Sequence, residues 1–215
     1  MRRKLLGVFF VLAVAVFLAA GATNSSAAII ANGTLSTADG NLVSPDNLWV
    51  PSTVDWSIDR TDGTFTYEYT FNTDSSRALS HMDIEVSSNF TVDDILPGTT
   101  SYESLGYDPH AGPDLYCIKF NGSGTSFTAT IVTHRMPMWG DIYLKDGNTP
   151  EGMTYELMNS GYFLADPAGP VEGTAATGYA WLGVPDTKVV PVPPALFLMG
   201  SGLMGVFVMR RKINK

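Results

Sequence analysis

The sequence predicts an all-β domain, an antiparallel β-sandwich, flanked by an amino-terminal signal helix and a short carboxy-terminal transmembrane helix. Three observations support this: apolar and polar residues alternate in the middle of the chain, turn sequences separate the alternating runs, and an uncharged apolar run lies near each end. Alternation with a period of two is typical of half-buried strands, and no run between the ends has a helical period. A jelly-roll topology is one option within this class.

The strand predictions follow this alternation. Residues 65–71 alternate four aromatic side chains with Thr and Glu, which predicts a strand with one buried aromatic face. Further strands are predicted at 54–58, 82–86, 116–120, 127–133, 140–145, 154–158 and 178–184. Asp-Gly, Asn-Gly and Asp-Pro dipeptides between these runs favour tight turns. Two longer connections, 97–113 and 166–177, are predicted to be loops because they are rich in small and turn-forming residues.

The predicted domain, residues 29–188, is strongly acidic. It contains all 21 acidic residues of the chain but only six basic ones, and six minus 21 gives a formal charge of −15. Such a surface repels nucleic acid and anionic lipid, so no nucleic-acid partner is expected. The only cysteine, Cys117, cannot form an intrachain disulfide.

The amino-terminal segment, residues 1–28, has the pattern of a secretory signal peptide. A basic cluster at 2–4 precedes an uncharged run at 5–20, and small residues follow. Cleavage after Ala22 or after Ala28 fits the small-x-small rule, and Ala28 is preferred. The partners implied are a secretion translocase and signal peptidase. An uncleaved anchor helix is the alternative, but the run is short for crossing about 30 Å of hydrocarbon.

The carboxy-terminal segment, residues 189–215, combines a proline-rich stretch, an apolar run and a basic cluster. The proline-rich stretch consists of Val190, Pro191, Val192, Pro193 and Pro194. The apolar run 195–209 would form a helix of about 22 Å, which is short for a membrane span. The basic cluster consists of Arg210, Arg211 and Lys212. Because basic residues stay on the cytoplasmic side, this cluster orients the preceding domain outward.

This order of features resembles the PEP-CTERM sorting signal of Gram-negative bacteria. Residues 190–195 read VPVPPA where that family often has Pro-Glu-Pro, and the VPxPP form is similar to a common variant. The resemblance implies processing by an exosortase-type membrane protease after an inner-membrane intermediate. It also implies a final location at the cell surface, in the outer membrane or in an extracellular matrix of exopolysaccharide or biofilm. A plain single-pass anchor is the alternative.

Part of the middle resembles a group of PEP-CTERM proteins with small β-rich ectodomains. Residues 80–87, 118–122 and 138–147 show this resemblance, which covers about half of the domain. It implies no activity.

The residue patterns do not indicate an enzyme. The histidines His81, His110 and His134 lack metal-ligand spacing, so three separate, individually bonded side chains are expected. No nucleophile elbow, P-loop or dinucleotide fingerprint occurs. Cys117 lies in an apolar strand, where a buried, inert thiol is expected. A noncatalytic surface protein is therefore the first hypothesis, and a surface hydrolase with paired carboxylates is the least favoured.

A carbohydrate- or calcium-binding module is the alternative hypothesis. Loop carboxylates are weak Ca²⁺ candidates, because Ca²⁺ prefers oxygen ligands, but none lies in an EF-hand pattern. These residues are Asp93, Asp94, Asp108 and Asp114, with Asp141 and Asp146 at the ends of a predicted strand. Solvated acids are the favoured interpretation, so no resident cofactor or metal is predicted. A sugar-stacking surface would use Trp49, Trp56, Trp139 and Trp181, for which core packing is favoured.

Overall fold

A computed structural model describes residues 28–45, 47, 49–109, 111, 115–147, 155–168, 171, 173–174 and 180–188. The predicted signal segment before Ala28, the predicted sorting segment 189–215, His110 and Asp114 lie outside these residues. Within the described part of the chain, no helix is both long enough and apolar enough to cross a membrane.

The described residues form strands and one 3-10 helix (Val92–Asp94). In chain order the strands are β1 (Ala28–Ser36), β2 (Leu42–Val43), β3 (Ser52–Thr61), β4 (Thr64–Thr73), β5 (Leu79–Glu85), β6 (Ser104–Tyr107), β7 (Tyr116–Asn121), β8 (Ser126–Thr133), β9 (Arg135–Gly140), β10 (Ile142–Asp146), β11 (Glu156–Asn159), β12 (Gly173–Thr174) and β13 (Leu182–Lys188).

Two large sheets and one strand pair contain these strands. The five-stranded sheet has the order β12-β1-β3-β4-β8, the six-stranded sheet has the order β2-β11-β10-β5-β7-β6, and β13 pairs with β9. The pairing is antiparallel except between β1 and β12. The all-β prediction is therefore confirmed, and the two sheets are consistent with a β-sandwich.

The two large sheets share one apolar core, which we call the main core. It contains Trp56 and Tyr69 from the five-stranded sheet together with Ile84 and Phe120 from the six-stranded sheet. The predicted aromatic face of β4 is fully part of it: Phe65, Tyr67, Tyr69 and Phe71 are all buried. The tyrosine hydroxyls are bonded inside, since Tyr67 Oη donates to the Arg135 carbonyl at 2.8 Å. Because a buried hydroxyl needs a hydrogen-bond partner, this bond allows the tyrosine to be part of the buried aromatic face that the sequence predicted.

The hairpin between β3 and β4 has the turn that its sequence predicts. Asp62 and Gly63 both have positive φ, 50° and 81°, and Thr61 pairs with Thr64 around them. Two central residues with positive φ are the requirement of a type I′ turn, which Asp-Gly satisfies well.

Two predicted loops contain strands, and there the sequence interpretation was wrong. Connection 97–113 includes β6, and connection 166–177 includes β12. Each of these strands lies at the end of its sheet and pairs on one side only. An edge strand with one neighbour has little apolar alternation to detect, because much of its surface faces solvent.

Candidate functional site

The outer face of the six-stranded sheet has a row of ionisable side chains on β5. Met82 and Ile84 of this strand belong to the main core. Since successive strand residues point to opposite faces, His81, Asp83 and Glu85 lie on the other face of the sheet.

Asp83, the middle member of this row, has a neighbouring strand on each side. Asp83 is opposite Lys119 of β7 on one side and opposite Tyr143 of β10 on the other. Both neighbours therefore present their side chains to the same outer face as Asp83.

A second, smaller apolar cluster covers this face, and we call it the outer core. It consists of Ala111, Leu115, Cys117, Tyr143 and Met158, with Tyr162 packed against it. Tyr162 follows β11, and its hydroxyl donates a hydrogen bond to the Ala111 carbonyl in the connection before β7. The two connections meet over the sheet, so the outer face is a buried layer rather than an open surface.

Three metal-ligating side chains converge beneath the outer core. One ligand atom from each of His81, Asp83 and Asp108 lies within 4.8 Å of the other two, and all three residues are buried. His81 Nε2 is 3.8 Å from Asp83 Oδ2. Lys119 Nζ is 2.7 Å from Asp108 Oδ2 and 4.0 Å from Glu103 Oε2.

Asp83 is the least satisfied group in this cluster. Its side chain is 0 % exposed, and neither carboxylate oxygen has a hydrogen-bond partner among the described residues. Burial, followed by the negative charge of Asp108, raises the pKa of Asp83 to about 7, although the positive charge of Lys119 opposes both. A carboxylate in this position binds either a proton or a cation strongly, because each removes an uncompensated buried charge.

A second group of carboxylates consists of Glu85, the last member of the row on β5, together with Asp141 and Asp166. Glu85 Oε2 accepts a hydrogen bond from the Asp141 backbone N–H at 2.7 Å. Asp141 Oδ1 accepts one from Asn159 Nδ2 at 2.6 Å, although burial still raises the pKa of Asp141 to about 6. Asp166 is exposed. Glu85 and Asp141 therefore accept hydrogen bonds from the protein, in contrast to Asp83.

Glu85 and Asp166 also line a small pocket with Ser87 and Trp139. Its volume is about 60 Å³. Small-molecule sites usually measure roughly 300–1,000 Å³, so this pocket is too small to enclose a substrate beside the two carboxylates.

The loop acids named as calcium candidates do not form one group. Asp93 is exposed, and Asp114 lies outside the described residues. Asp94 Oδ2 accepts hydrogen bonds from Arg135 Nη2 at 2.8 Å and from the Thr91 backbone N–H at 2.9 Å. The Arg135 hydrogen bond lowers the pKa of Asp94 to about 2. Of the four candidates, only Asp108 lies in a group of possible metal ligands among the described residues.

The tryptophans are packed rather than displayed. Trp49 and Trp56 are buried in the main core, as predicted. Trp139 is half-buried and meets Trp56 edge-on, with ring centroids 6.1 Å apart. Trp181 is half-buried against Gly161. Among the described residues no tryptophan is exposed, so these side chains do not offer a flat sugar-stacking surface.

Cys117 is buried, as the sequence predicted, and burial raises the pKa of its thiol far above the usual range.

The two described histidines have different surroundings. His81 lies with Asp83 and Asp108 in a group of possible metal ligands, whereas exposed His134 contacts the Gly63 carbonyl through Nδ1 at 3.3 Å. Sequence reasoning missed the partnership of His81 with Asp83. The available signal was the alternation along residues 82–86, which predicted a strand but did not bring these two side chains together.

No family model, curated protein or solved structure matches this chain. The interpretation of the site therefore depends on its own geometry, and the tail resemblance stays a prediction.

Proposed function

We propose that this chain is a noncatalytic exported β-sandwich protein, sorted through its carboxy-terminal segment by an exosortase-type system to the surface or matrix of a Gram-negative cell. The observation that supports the β-sandwich part of this proposal is the main core of the described residues, which runs from Ala31 to Val184 and contains side chains from both large sheets.

The physical properties of the tail support a sorting role. Proline residues resist helix formation, so the stretch 190–194 favours an extended backbone at the membrane boundary, a conformation that a protease can engage. The helix expected at 195–209 and the basic cluster at 210–212 would hold this stretch at a fixed depth, with the acidic domain outside. Exopolysaccharide is the matrix partner that the family resemblance implies.

The properties of two described groups favour a noncatalytic role over a surface hydrolase. The carboxylate pocket is only about 60 Å³, and the thiol of Cys117 is buried as part of the outer core. The alternative of a carbohydrate-binding module receives less support, since the described tryptophans are packed. Cation binding is a separate question, because it depends on the outer face of the sheet.

The sorting proposal is tested by the carboxy-terminal peptide of the mature protein in an exosortase-containing host. We expect mass spectrometry to find a chain shortened at both ends. Replacing Pro191, Pro193 and Pro194 with Ala is expected to allow export but block tail removal, because the helix would extend through the processing site. Replacing the basic cluster 210–212 with Gln is expected to give mislocalised or unprocessed protein.

Survival of the tail through Lys215 in the native chain, with the proline variant behaving identically, would leave a simple membrane anchor. A host that lacks the exosortase is the matched control, and it should retain the full tail in every variant.

A further inference from the structure

We propose that His81, Asp83 and Asp108 bind a divalent transition-metal cation of the zinc class on the outer face of the six-stranded sheet. The site lies wholly within the described domain. It goes beyond the proposed sorting function and does not depend on it.

The first support is the convergence of three suitable ligands. Zn²⁺ binds imidazole nitrogen and carboxylate oxygen at about 2.0–2.2 Å, which places neighbouring ligand atoms of a tetrahedral site roughly 3.4 Å apart. The three ligand atoms here lie within 4.8 Å of one another, and the His81 Nε2 to Asp83 Oδ2 distance is already 3.8 Å. Small side-chain rotations would therefore bring all three into coordination distance.

The second support is Asp83 itself, and it is independent of the clustering. A fully buried carboxylate whose two oxygens lack hydrogen-bond partners is strongly unfavourable unless a counter-ion or a proton compensates it. A metal ion placed among the three ligands would supply the interaction that the described residues do not. The side chain is held there by its strand position, between Lys119 and Tyr143 of the adjacent strands.

The local charge balance also favours a cation. Three carboxyl groups, Asp83, Asp108 and Glu103, lie near two ammonium groups, Lys119 and Lys145. Lys119 Nζ binds Asp108 Oδ2 at 2.7 Å, but a carboxylate has two oxygens, so the ion pair and a metal bond can share this residue. A divalent ion would offset the remaining negative charge.

The ligand types select the class of cation. An imidazole nitrogen suits zinc-class transition metals, whereas Ca²⁺ and Mg²⁺ prefer sites built from oxygen ligands alone. Three protein ligands leave a fourth tetrahedral position for water. The three ligand residues are buried, so the expected role of the ion is structural: it would join β5 to the connection that contains Asp108.

The experiment uses the untagged full chain, extracted in detergent from an expressing host and stripped of metal with a chelator. Isothermal titration with Zn²⁺ at pH 7.5 is expected to give one tight equivalent. Co²⁺ should give the visible absorption of a tetrahedral site. Asp83→Asn should weaken Zn²⁺ binding at least about 100-fold. The matched control is Asp146→Asn, which changes another buried aspartate of the same sheet outside both groups, and it should bind as the native chain does.

Circular dichroism verifies that each variant is folded. If Asp83→Asn does not fold, His81→Gln replaces it in the same titration, with the same expected loss. Unchanged Zn²⁺ affinity in the folded ligand variant would overturn the proposal, since the ion would then bind elsewhere. Absence of binding to the stripped native chain, or binding of Ca²⁺ but not Zn²⁺, would overturn it as well.

Discussion

Two buried charged groups in this domain, Arg135 and Asp83, have opposite surroundings. Arg135 is 1 % exposed, and its guanidinium donates to Asn89 Oδ1 and the Asn89 carbonyl at 2.6 Å and to Asp94 Oδ2 at 2.8 Å. It also lies 5.2 Å from the centre of the Phe90 ring. Asp83 is equally buried, yet neither of its oxygens is hydrogen-bonded within the described residues.

The difference in hydrogen bonding shows which of the two buried charges the protein stabilises with its own residues. Arg135 connects β9 to the segment that leads into the 3-10 helix, and the protein supplies its acceptors and its counter-ion. Asp83 has a histidine at 3.8 Å, and the charges of Lys119 and Lys145 offset nearby carboxylates only in part, so a proton or an added cation would complete its compensation. The pKa values differ accordingly: that of Asp94, the partner of Arg135, falls to about 2, whereas that of Asp83 rises to about 7.

Removing Arg135 should produce the largest effect. Arg135→Met leaves the Asn89 carbonyl and the Asp94 carboxylate without their buried donor, and breaking such a pair typically costs about 3–5 kcal/mol of unfolding free energy. Urea denaturation followed by tryptophan fluorescence measures this loss. The control is Arg60→Met, at an exposed arginine above the Phe65 ring, which should change stability by roughly 1 kcal/mol or less. Equal losses in both variants would contradict a special role for Arg135.

Replacing Asp83 should increase the stability of the metal-free protein, in contrast to replacing Arg135. The pKa of Asp83 is about 7 in the folded chain against an ordinary value of 3.8, so the folded state holds its proton to higher pH. In the metal-free protein this group therefore lowers stability as pH rises from about 4 to about 7, with no further loss above that. Asp83→Asn should remove this decline and stabilise the metal-free fold at pH 8 by about 1–3 kcal/mol, since the buried amide offsets part of the gain.

Denaturation curves at pH 5 and pH 8 measure the effect of Asp83→Asn. A variant that is less stable than the native chain at pH 8 in the presence of chelator would show that the protein does compensate the Asp83 charge.

Asp94 should act at the acidic end of the pH range. Its pKa is lowered to about 2 from 3.8, so its contribution is fully present above about pH 4 and is lost as pH falls through 2. Asp94→Asn should therefore reduce stability by about 1–2 kcal/mol at pH 6, and this difference should vanish near pH 2. Asp93→Asn, at the exposed neighbour, is the control and should follow the native curve.

Replacing Cys117 should change stability least. A small change would show that the uncompensated buried charge in this region belongs to Asp83 and not to the thiol. Burial raises the pKa of the thiol, so it stays neutral, and it donates only a weak hydrogen bond to the Gly106 carbonyl at 3.6 Å. Cys117→Ser retains a donor and should change stability by about 1 kcal/mol or less, with Zn²⁺ binding intact. Loss of Zn²⁺ binding in this variant would add a thiolate to the proposed ligands. Thermal denaturation and the same titration provide both measurements.

The sequence by itself determined the features that depend on neighbouring residues. Alternation identified the buried aromatic face of β4, and Asp62-Gly63 identified the hairpin before it, because strand period and turn preference are local properties. The terminal export and sorting segments are equally local patterns, and they stay predictions. The core location of Trp56 followed from strand context in the same way, whereas Trp49, which lies between β2 and β3, is in the core without that context.

Only the tertiary structure decided which polar residues are buried together. Along β5 the sequence shows that Asp83 faces away from Met82 and Ile84, but it does not show that Tyr162 and the connection before β7 cover that face. Asp108 was named as a loop acid, whereas its neighbours His81 and Asp83 lie more than 20 residues earlier in the chain. Burial of a polar face depends on contacts distant in sequence, and periodicity contains no information about them.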